Sequence, residues 1–397
     1  MRVSSVVFLP TMVAALLSAS SSPLPVVRSG FFPTQQFREP VPGSVPGPLH
    51  GAVAPPGDKG QQASPKPPLR LDRTIGTDVG PISFSQIGVA AASPSGLLAV
   101  VDNGACQIVL LNLKTGGFVR RIGRCGDGPG EFRRPGSIAF RGDSLLVYDV
   151  MRRDLVFIDD KGSEKRRWSV TRVPGTPGGA TAVQFLEDTT LVIARYVFPQ
   201  GQAPDESAQT IRDLLVVVDA RNGVSMRTLL PVPTQGWRNE YRIMNHTAIC
   251  SNSADGLHLV AMSMWEFGGA IFRGPSLQES IQFRTPLKWM EPVSTREVAP
   301  GVLPGAVAFN VVCSDDGVLL WAARRDLKVP GHVGTEGRME FRSYEGRLVW
   351  TLDFGKADTL FHERPVAAYK DRIIFRANNS GAYPRLVEFL METPRAP

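Results

Sequence analysis

The chain has 397 residues, 43% of them hydrophobic, which is enough apolar material to bury a core and excludes wholesale disorder. Its formal net charge of +7 could favour acidic partners, although a solvated basic surface accounts for it equally well. The sequence lacks the blocks of Lys and Arg interleaved with aromatic residues that nucleic-acid grooves need. We therefore expect no nucleic-acid partner.

The N-terminal segment has the three parts of a secretory signal peptide. A single early cation, Arg2, precedes an apolar run of about 15 residues, and small residues follow that run. The run is shorter than the roughly 20 residues that cross a membrane, and Pro10 interrupts it. We predict a signal peptide over 1–19 cleaved near Ala19, no transmembrane segment, and a secreted or periplasmic protein.

The next segment, 20–68, is dense in Pro and Gly without any period. Such a composition cannot bury enough surface to offset the entropy of the chain. It predicts a disordered linker, with the folded domain extending over 69–393.

An internal repeat begins this domain. Residues 75–102 and 122–149 both run from Ile-Gly through a Gly/Pro loop with Phe, a strand, a tight turn and a second strand to Asp. Gly76 matches Gly123 and Asp102 matches Asp149, each 47 residues further on. A short loop, a third strand, a tight turn and a fourth strand follow each Asp. Four strands in about 47 residues are typical of a propeller blade.

Four looser copies follow, and the last one lacks its fourth strand. The segment 69–76 (LRLDRTIG) is similar to the fourth strand of the first copy, FVRRIG at 118–123. A propeller must close its ring or leave strand edges unpaired. The sequence therefore predicts an all-β fold, a six-bladed propeller of four-stranded antiparallel blades, in which 69–75 pairs with 385–390.

The second copy carries a recognisable set of positions: Gly126, Gly128, Pro129, Gly130, Phe132, Pro135, Gly136, Val147, Asp149, Phe157, Asp159 and Gly162. Through these residues the first two copies, 76–170, resemble NHL-type repeats over about a quarter of the chain. The wider similarity is to bacterial exported six-bladed propellers.

The glycine-rich stretch GDGPG at 126–130 is predicted to be a blade-to-blade connection and not a phosphate site. A P-loop needs Lys-Ser/Thr directly after its glycines and then a helix. Here Glu131, Phe132 and a strand follow. We expect Phe132 to pack between neighbouring blades.

The four cysteines test this architecture. If 114–117 is the turn between the third and fourth strands, Cys106 and Cys125 lie directly opposite each other, about 4.5–5.5 Å apart, and a disulfide is expected. Cys250 and Cys313 occupy the same place in neighbouring blades. Points related by a sixfold rotation are as far apart as their distance from the axis, so a bridge needs a radius below about 7 Å. We expect an innermost strand to lie farther out, and predict two buried thiols.

Antiparallel blades place the loops between second and third strands, and those between blades, on one face of the ring, called here the loop face. The opposite, turn face carries only tight turns, and function concentrates in variable loops. Asp102 and Asp149 are expected to cap the turns that follow them. Candidate ligand-binding residues on the loop face are Arg152, Arg153, Arg195, Tyr196, Trp237, Arg238, Trp265, Glu266, Arg324, Arg325 and Tyr383.

These features favour a monomeric, non-enzymatic binding or scaffold protein without a cofactor or catalytic residues, presenting the loop face to a protein, peptide or glycan. An alternative stays open. Some six-bladed propellers are metal enzymes: NHL-like amidating lyases use histidines at the channel mouth, and lactonases use carboxylate and amide oxygens. His246, His332 and His362 map to the loop face and could hold one divalent metal, Zn or Ca, although their spacing is not that of a metal motif.

Overall fold

The structure of the protein is a computed structural model. It describes the propeller strands and much of what connects them, and all statements below concern the described residues, which are 69–172, 180, 182–187, 189–196, 213–223, 225–229, 248–252, 258–263, 267–274, 277, 279–285, 287, 307–325, 333–355, 363–377 and 383–392.

The described strands form six antiparallel sheets of four strands, with one 3-10 turn at Val170–Arg172. Blade one contains β2 (Ile87–Ala92), β3 (Leu97–Asp102), β4 (Gln107–Asn112) and β5 (Phe118–Ile122); blade two contains β6 (Pro135–Arg141), β7 (Ser144–Asp149), β8 (Asp154–Ile158) and β9 (Glu164–Ser169). Blade three contains β10 (Ala182–Glu187), β11 (Thr190–Tyr196), β12 (Asp213–Asp219) and β13 (Ser225–Leu229); blade four contains β14 (Ala248–Asn252), β15 (His258–Ser263), β16 (Gly268–Arg273) and β17 (Glu279–Arg284). Blade five contains β18 (Val307–Cys313), β19 (Val318–Arg325), β20 (Val333–Arg342) and β21 (Leu348–Gly355); blade six contains β22 (Pro365–Tyr369), β23 (Arg372–Ala377), β24 (Arg385–Met391) and β1 (Leu69–Ile75).

The first strands of the blades form the inner circle of a closed ring. In chain order β2 contacts β6, then β10, β14, β18 and β22 follow, each contacting the next, and β22 contacts β2 again. Only the innermost strands of sheets arranged around an axis can meet in this way. The predicted six-bladed propeller is therefore confirmed.

The ring closes through the two ends of the domain. Strand β1 pairs antiparallel with β24, from Leu69 opposite Met391 to Ile75 opposite Leu386, with one irregularity between Leu71 and Arg73. Blade six thus takes three strands from the C-terminal part of the chain and its outer strand from the N-terminal part. This confirms the predicted pairing of 69–75 with 385–390 and leaves no open edge on β24.

The hydrophobic core is divided into six clusters, one at each seam between neighbouring blades. Strands β3 and β7 are almost continuously buried because sheets pack against both of their faces, whereas the outer strand β5 is partly exposed. At the seam between blades one and two, Phe132 is fully buried among residues of both sheets, as predicted. At the seam between blades five and six, Trp321 has the same role.

Polar contacts and one disulfide also join inner strands of adjacent blades. They are Val183 N to Ser137 Oγ at 3.2 Å, Ser251 Oγ to Phe185 O at 2.8 Å, Asn310 Nδ2 to Pro365 O at 2.5 Å, and Cys250 to Cys313.

The predicted disulfide between Cys106 and Cys125 is present, with a Cα separation of 4.9 Å. The register used to predict it was wrong by one residue. The β4–β5 ladder pairs Ile108 with Ile122, and both cysteines lie outside it, Cys106 directly before β4 and Cys125 after β5. The bond therefore joins two loops on the loop face.

The prediction of two free thiols at Cys250 and Cys313 was wrong. These residues form a second disulfide with a Cα separation of 5.6 Å. They do not occupy equivalent positions: Cys250 lies opposite Val260 in the middle of β14, whereas Cys313 is the last residue of β18 and lies opposite Val318. The sixfold argument therefore did not apply to them, and the inner strands approach each other closely enough for a bond.

Candidate binding face

The loop face is best described at blades one and two. It is formed there by two loops between second and third strands, 103–106 and 150–153, and by the blade-to-blade loops 76–86 and 123–134. The turn face of the same blades has only short hairpin turns, such as the one between Arg141 and Ser144. In this part of the chain the two faces differ only in the blade-to-blade loops, because the loops at 103–106 and 150–153 are as short as the turns of the opposite face. The longer loops on which the predicted contrast was based lie largely outside the described residues.

Two buried aspartates hold the blade-to-blade loops in place. Asp102 accepts hydrogen bonds from the amides of Ser85 and Gln86 at 3.0 and 2.9 Å. Asp149 accepts them from Arg133 and Arg134 at 2.7 and 3.2 Å. Each carboxylate thus fixes the loop that enters its own blade.

Asp149 also holds the turn that follows it. Its Oδ1 atom accepts from the amides of Met151 and Arg152, both at 3.2 Å. The sequence predicted this capping of the following turn. The amides of the incoming loop were not predicted, because they lie about 15 residues earlier and meet Asp149 only in the folded blade.

The GDGPG loop is tied to blade two by partly buried arginines. Arg152 donates from Nη1 to the carbonyl of Asp127 at 2.6 Å and from Nε to Asp154 at 3.2 Å. Arg167 donates to the carbonyl of Glu131 at 3.0 Å and to the carboxylate of Glu164 at 2.8 Å. Two guanidinium groups therefore bind loop carbonyls and blade carboxylates at the same time.

The pKa values of two glutamates in this network are lowered by their hydrogen bonds. The bond from Arg167, together with the amide of Gly130, lowers the pKa of Glu164 below its ordinary value of 4.5. The amide of Gly128, followed by the bond from Arg124, lowers the pKa of Glu131. The loop is thus fixed by charge-assisted hydrogen bonds, which are stronger than neutral ones.

Cys106 and Arg153 occupy equivalent positions in the repeat, 47 residues apart, and both have the uncommon positive φ, 50° and 58°. Each ends the loop between the second and third strands of its blade. The same turn therefore carries a disulfide in blade one and an exposed arginine in blade two.

The structure distributes the predicted ligand-binding residues around the ring. Arg152 and Arg153 are adjacent in blade two, Arg195 and Tyr196 end β11 in blade three, Arg324 and Arg325 end β19 in blade five, and Tyr383 precedes β24 in blade six. Arg152 is committed to the loop network, whereas Arg324 is exposed, 3.9 Å from Glu336. Trp237, Arg238, Trp265, Glu266, His246, His332 and His362 lie outside the described residues.

The candidates from sequence did not include Arg133, Arg134 and Met151, which are exposed in the two loops that Asp149 joins. Arg133 and Arg134 directly follow the NHL-like GEF segment, and Met151 lies within the loop that ends at Arg153. The equal spacing of the two copies was the signal that could have found them, because it places both loops on the same face.

Within the described ranges there is no group of three or more His, Cys, Asp or Glu placed to hold a metal ion. The histidines of the metal-enzyme alternative lie outside those ranges, so that alternative stays a prediction. Among the described residues no helix has the length and apolar character needed to cross a bilayer.

Comparison with known proteins identifies relatives in fold. One match is the solved structure of a Bacteroides fragilis protein that is described as exported. It has a TM-score of 0.52 at 12% identity and covers 82% of this chain and 96% of the other. A member of the DUF4221 family from Bacteroides vulgatus matches with a TM-score of 0.57 at 12% identity, over 81% of this chain and 97% of the other. The likeness is one of fold. No protein-family model and no curated protein matches the sequence.

The two disulfides bear on the compartment. Disulfides form and persist in oxidising environments and are rare in reducing ones. Both pairs, Cys106 with Cys125 and Cys250 with Cys313, join segments that are distant in sequence. They point to a location outside the cytoplasm.

Proposed function

We propose that this protein is an exported, non-enzymatic binding or scaffold propeller that presents its loop face to a protein, peptide or glycan outside the cytoplasm. The predicted signal peptide over 1–19 and the two disulfides support the location. The NHL-type resemblance of 76–170 is part of the same proposal, because its Phe132 and Asp149 have the structural roles that such a repeat needs: one fills a seam and the other anchors loops.

The observation that carries the proposal is the fixed conformation of the loop face at blades one and two. Asp102 and Asp149 bind the incoming loops through backbone amides, and Arg152 and Arg167 bind the GDGPG loop through its carbonyls. Loops ordered in advance lose little conformational entropy when a ligand docks, which favours affinity. The exposed side chains they carry are thus presented in one arrangement.

Site-specific photo-cross-linking in the native extracytoplasmic extract tests this proposal. A benzoylphenylalanine replaces Met151 or Arg324 on the loop face, and Lys161 in the β8–β9 turn serves as the turn-face control. We expect defined adducts from the loop-face positions and none from position 161. Adducts of equal yield from both faces, or none from either loop-face position, would overturn the proposal.

A further inference from the structure

The positive charge of the chain is concentrated in one part of the ring. Residues 120–172 contain thirteen Lys or Arg and eight Asp or Glu, whereas the whole chain has 44 and 37. Most of the excess of +7 therefore lies in this segment, which runs from the outer strand of blade one through blade two.

Several of these cations are used inside the fold. Arg121 binds the carbonyl of Ser83 at 2.9 Å and Gln107 at 3.0 Å. Arg166 lies over the ring of Phe157 at 4.1 Å and binds the carbonyl of Arg221 at 2.8 Å. Together with Arg152 and Arg167, they hold loops and strands and are not presented to a ligand.

Four other arginines are exposed on the loop face: Arg124, Arg133, Arg134 and Arg153. Side-chain exposure is 78% for Arg124 and 55% for Arg133, although each pairs with a carboxylate of the same loop at 2.6 Å. Glu131 and Asp127 thus offset the charges of Arg124 and Arg133, while Arg134 adds a further positive charge to the same loop.

Two apolar side chains lie among these arginines. Met151 is 60% exposed and Val150 is exposed beside it. The amide of Val150 donates to the carbonyl of Arg134 at 2.9 Å, so the two loops are joined at this point. Val150 also packs over Gly136: a Cβ added at Gly136 would lie 2.1 Å from the Cγ2 atom of Val150. We call Arg124, Arg133, Arg134, Val150, Met151 and Arg153 the arginine–methionine patch.

Arginine and methionine are enriched in protein interfaces, and exposed apolar side chains grouped with charges mark interaction sites more often than isolated ones do. The backbone of the patch is held by Asp149, which accepts hydrogen bonds from the amides of Arg133, Arg134, Met151 and Arg152. The patch therefore combines positive charge, apolar surface and a fixed backbone.

We infer that the arginine–methionine patch docks an acidic protein segment that carries an apolar side chain. A carboxylate of the segment would pair with Arg134, as guanidinium groups favour, and the apolar side chain would cover Val150 and Met151. The inference rests on the proposed function and assigns its partner class. A sulfated glycan would use the arginines but not the apolar pair, so the surface favours a peptide.

The test uses the purified full chain with both disulfides intact and three fluorescein-labelled ten-residue peptides. One has two central leucines between acidic residues, the second has serines in place of the leucines, and the third has the amides Asn and Gln in place of the acids. Fluorescence anisotropy should show tighter binding of the first peptide than of the other two. Added salt should weaken that binding, because exposed charges are screened.

Variants locate the binding. Arg134→Glu and Met151→Ser should each lower the affinity for the peptide with acidic residues and leucines by about tenfold, which is the effect of losing one well-placed interface contact. Lys161→Glu makes the same charge reversal on the turn face of blade two and should change affinity less than about twofold, since rim or remote charges contribute little. Thermal unfolding followed by circular dichroism confirms that each variant is folded.

Three results would overturn the inference. They are an equal loss of affinity in Lys161→Glu, an unchanged affinity in Met151→Ser, or binding of dextran sulfate, a probe for sulfated glycans, without binding of any peptide.

Failure of this inference is distinguishable from failure of the proposed function. If peptides do not bind but position 324 still gives defined photo-adducts, the loop face binds a ligand elsewhere. If neither loop-face position gives adducts, the proposed function itself fails.

Discussion

Glu388 in β24 accepts a hydrogen bond at 2.7 Å from the Nε atom of Arg73 in β1, although the two residues lie 315 positions apart. The carboxylate is fully buried and also binds Arg372 of β23, which in turn reaches Asp72 of β1 at 2.5 Å. Two arginines and two carboxylates therefore join the N-terminal strand to the last two strands of the ring.

Removing the buried carboxylate should destabilise the ring. Glu388→Ala leaves Arg73 and Arg372 without their shared partner, and losing charge-assisted hydrogen bonds to a buried carboxylate costs about 2 kcal/mol. Urea unfolding of the purified protein measures the change in free energy of unfolding. Glu392→Ala is the matched control, because Glu392, directly after β24, pairs with Arg70 of β1 but is 61% exposed. It should cost less than about 1 kcal/mol, and equal losses would contradict the role assigned to Glu388.

The second disulfide should be detectable and stabilising. Peptide mapping without reduction should recover Cys250 linked to Cys313 and no free thiol at either residue. Since 63 residues separate them, their link restricts the unfolded chain by about 4 kcal/mol in the loop-entropy description, compared with about 3 kcal/mol for the 19-residue separation of Cys106 and Cys125. The double substitution of Cys250 and Cys313 by serine should lower the melting temperature. Free thiols in the parent protein would contradict the assignment.

The stability of the seam between blades one and two should depend strongly on one aromatic ring, that of Phe132. Phe132 is fully buried, so Phe132→Ala should lower the free energy of unfolding by about 3–5 kcal/mol through lost contacts and a cavity. Gly123, with φ of 86°, allows this packing, because a Cβ there would lie 2.4 Å from the ring. Val79→Ala, on the exposed loop that enters blade one, is the control and should have an effect within about 0.5 kcal/mol. A small effect of Phe132→Ala would show that the seam does not depend on it.

Stability should fall in acid partly through Glu164. Its pKa is lower in the folded protein than the ordinary value of 4.5, chiefly because of Arg167, so the stabilisation is present above that value and is lost as the pH falls through the folded pKa. Glu164→Gln should therefore lower the melting temperature at pH 7 and have a smaller effect at pH 3. Asp160→Asn removes an exposed charge of the same blade and controls for net charge. An effect of Glu164→Gln that is equal at both pH values would contradict the linkage.

The architecture could be predicted because it depends on local patterns that repeat. Strands alternate with tight turns, and Gly76 and Gly123 occupy equivalent positions, so the repeat predicted a four-stranded blade. The last copy has only three strands, which pointed to Leu69–Ile75 as its fourth. The Cys106–Cys125 bond followed from the same pattern even though the assumed register was off by one, because loops beyond a ladder still bring nearby residues into reach.

The disulfide between blades four and five could not be predicted from the same patterns. Cys250 and Cys313 have similar neighbours in sequence, but their bond depends on where each residue falls along its inner strand, and sequence spacing does not determine that. The exposed group around Met151 was missed for a related reason. It joins a blade-to-blade loop and an intra-blade loop, and these meet only in the folded blade, through the bond from Val150 to Arg134 and the amides bound by Asp149.

The pairing of β1 with β24 underlies both the closed ring and the assignment of its two faces, and engineered cross-linking tests it most directly. Arg70 lies opposite Leu390, so cysteines introduced at both positions are close enough to bond. Met226, on the outer strand of blade three across the ring, replaces Leu390 in the control pair. Mass spectrometry of unreduced tryptic peptides should find the introduced cysteines linked within one chain for the pair at 70 and 390, and unlinked for the pair at 70 and 226. Absence of the first link, or formation of both, would contradict the closed ring.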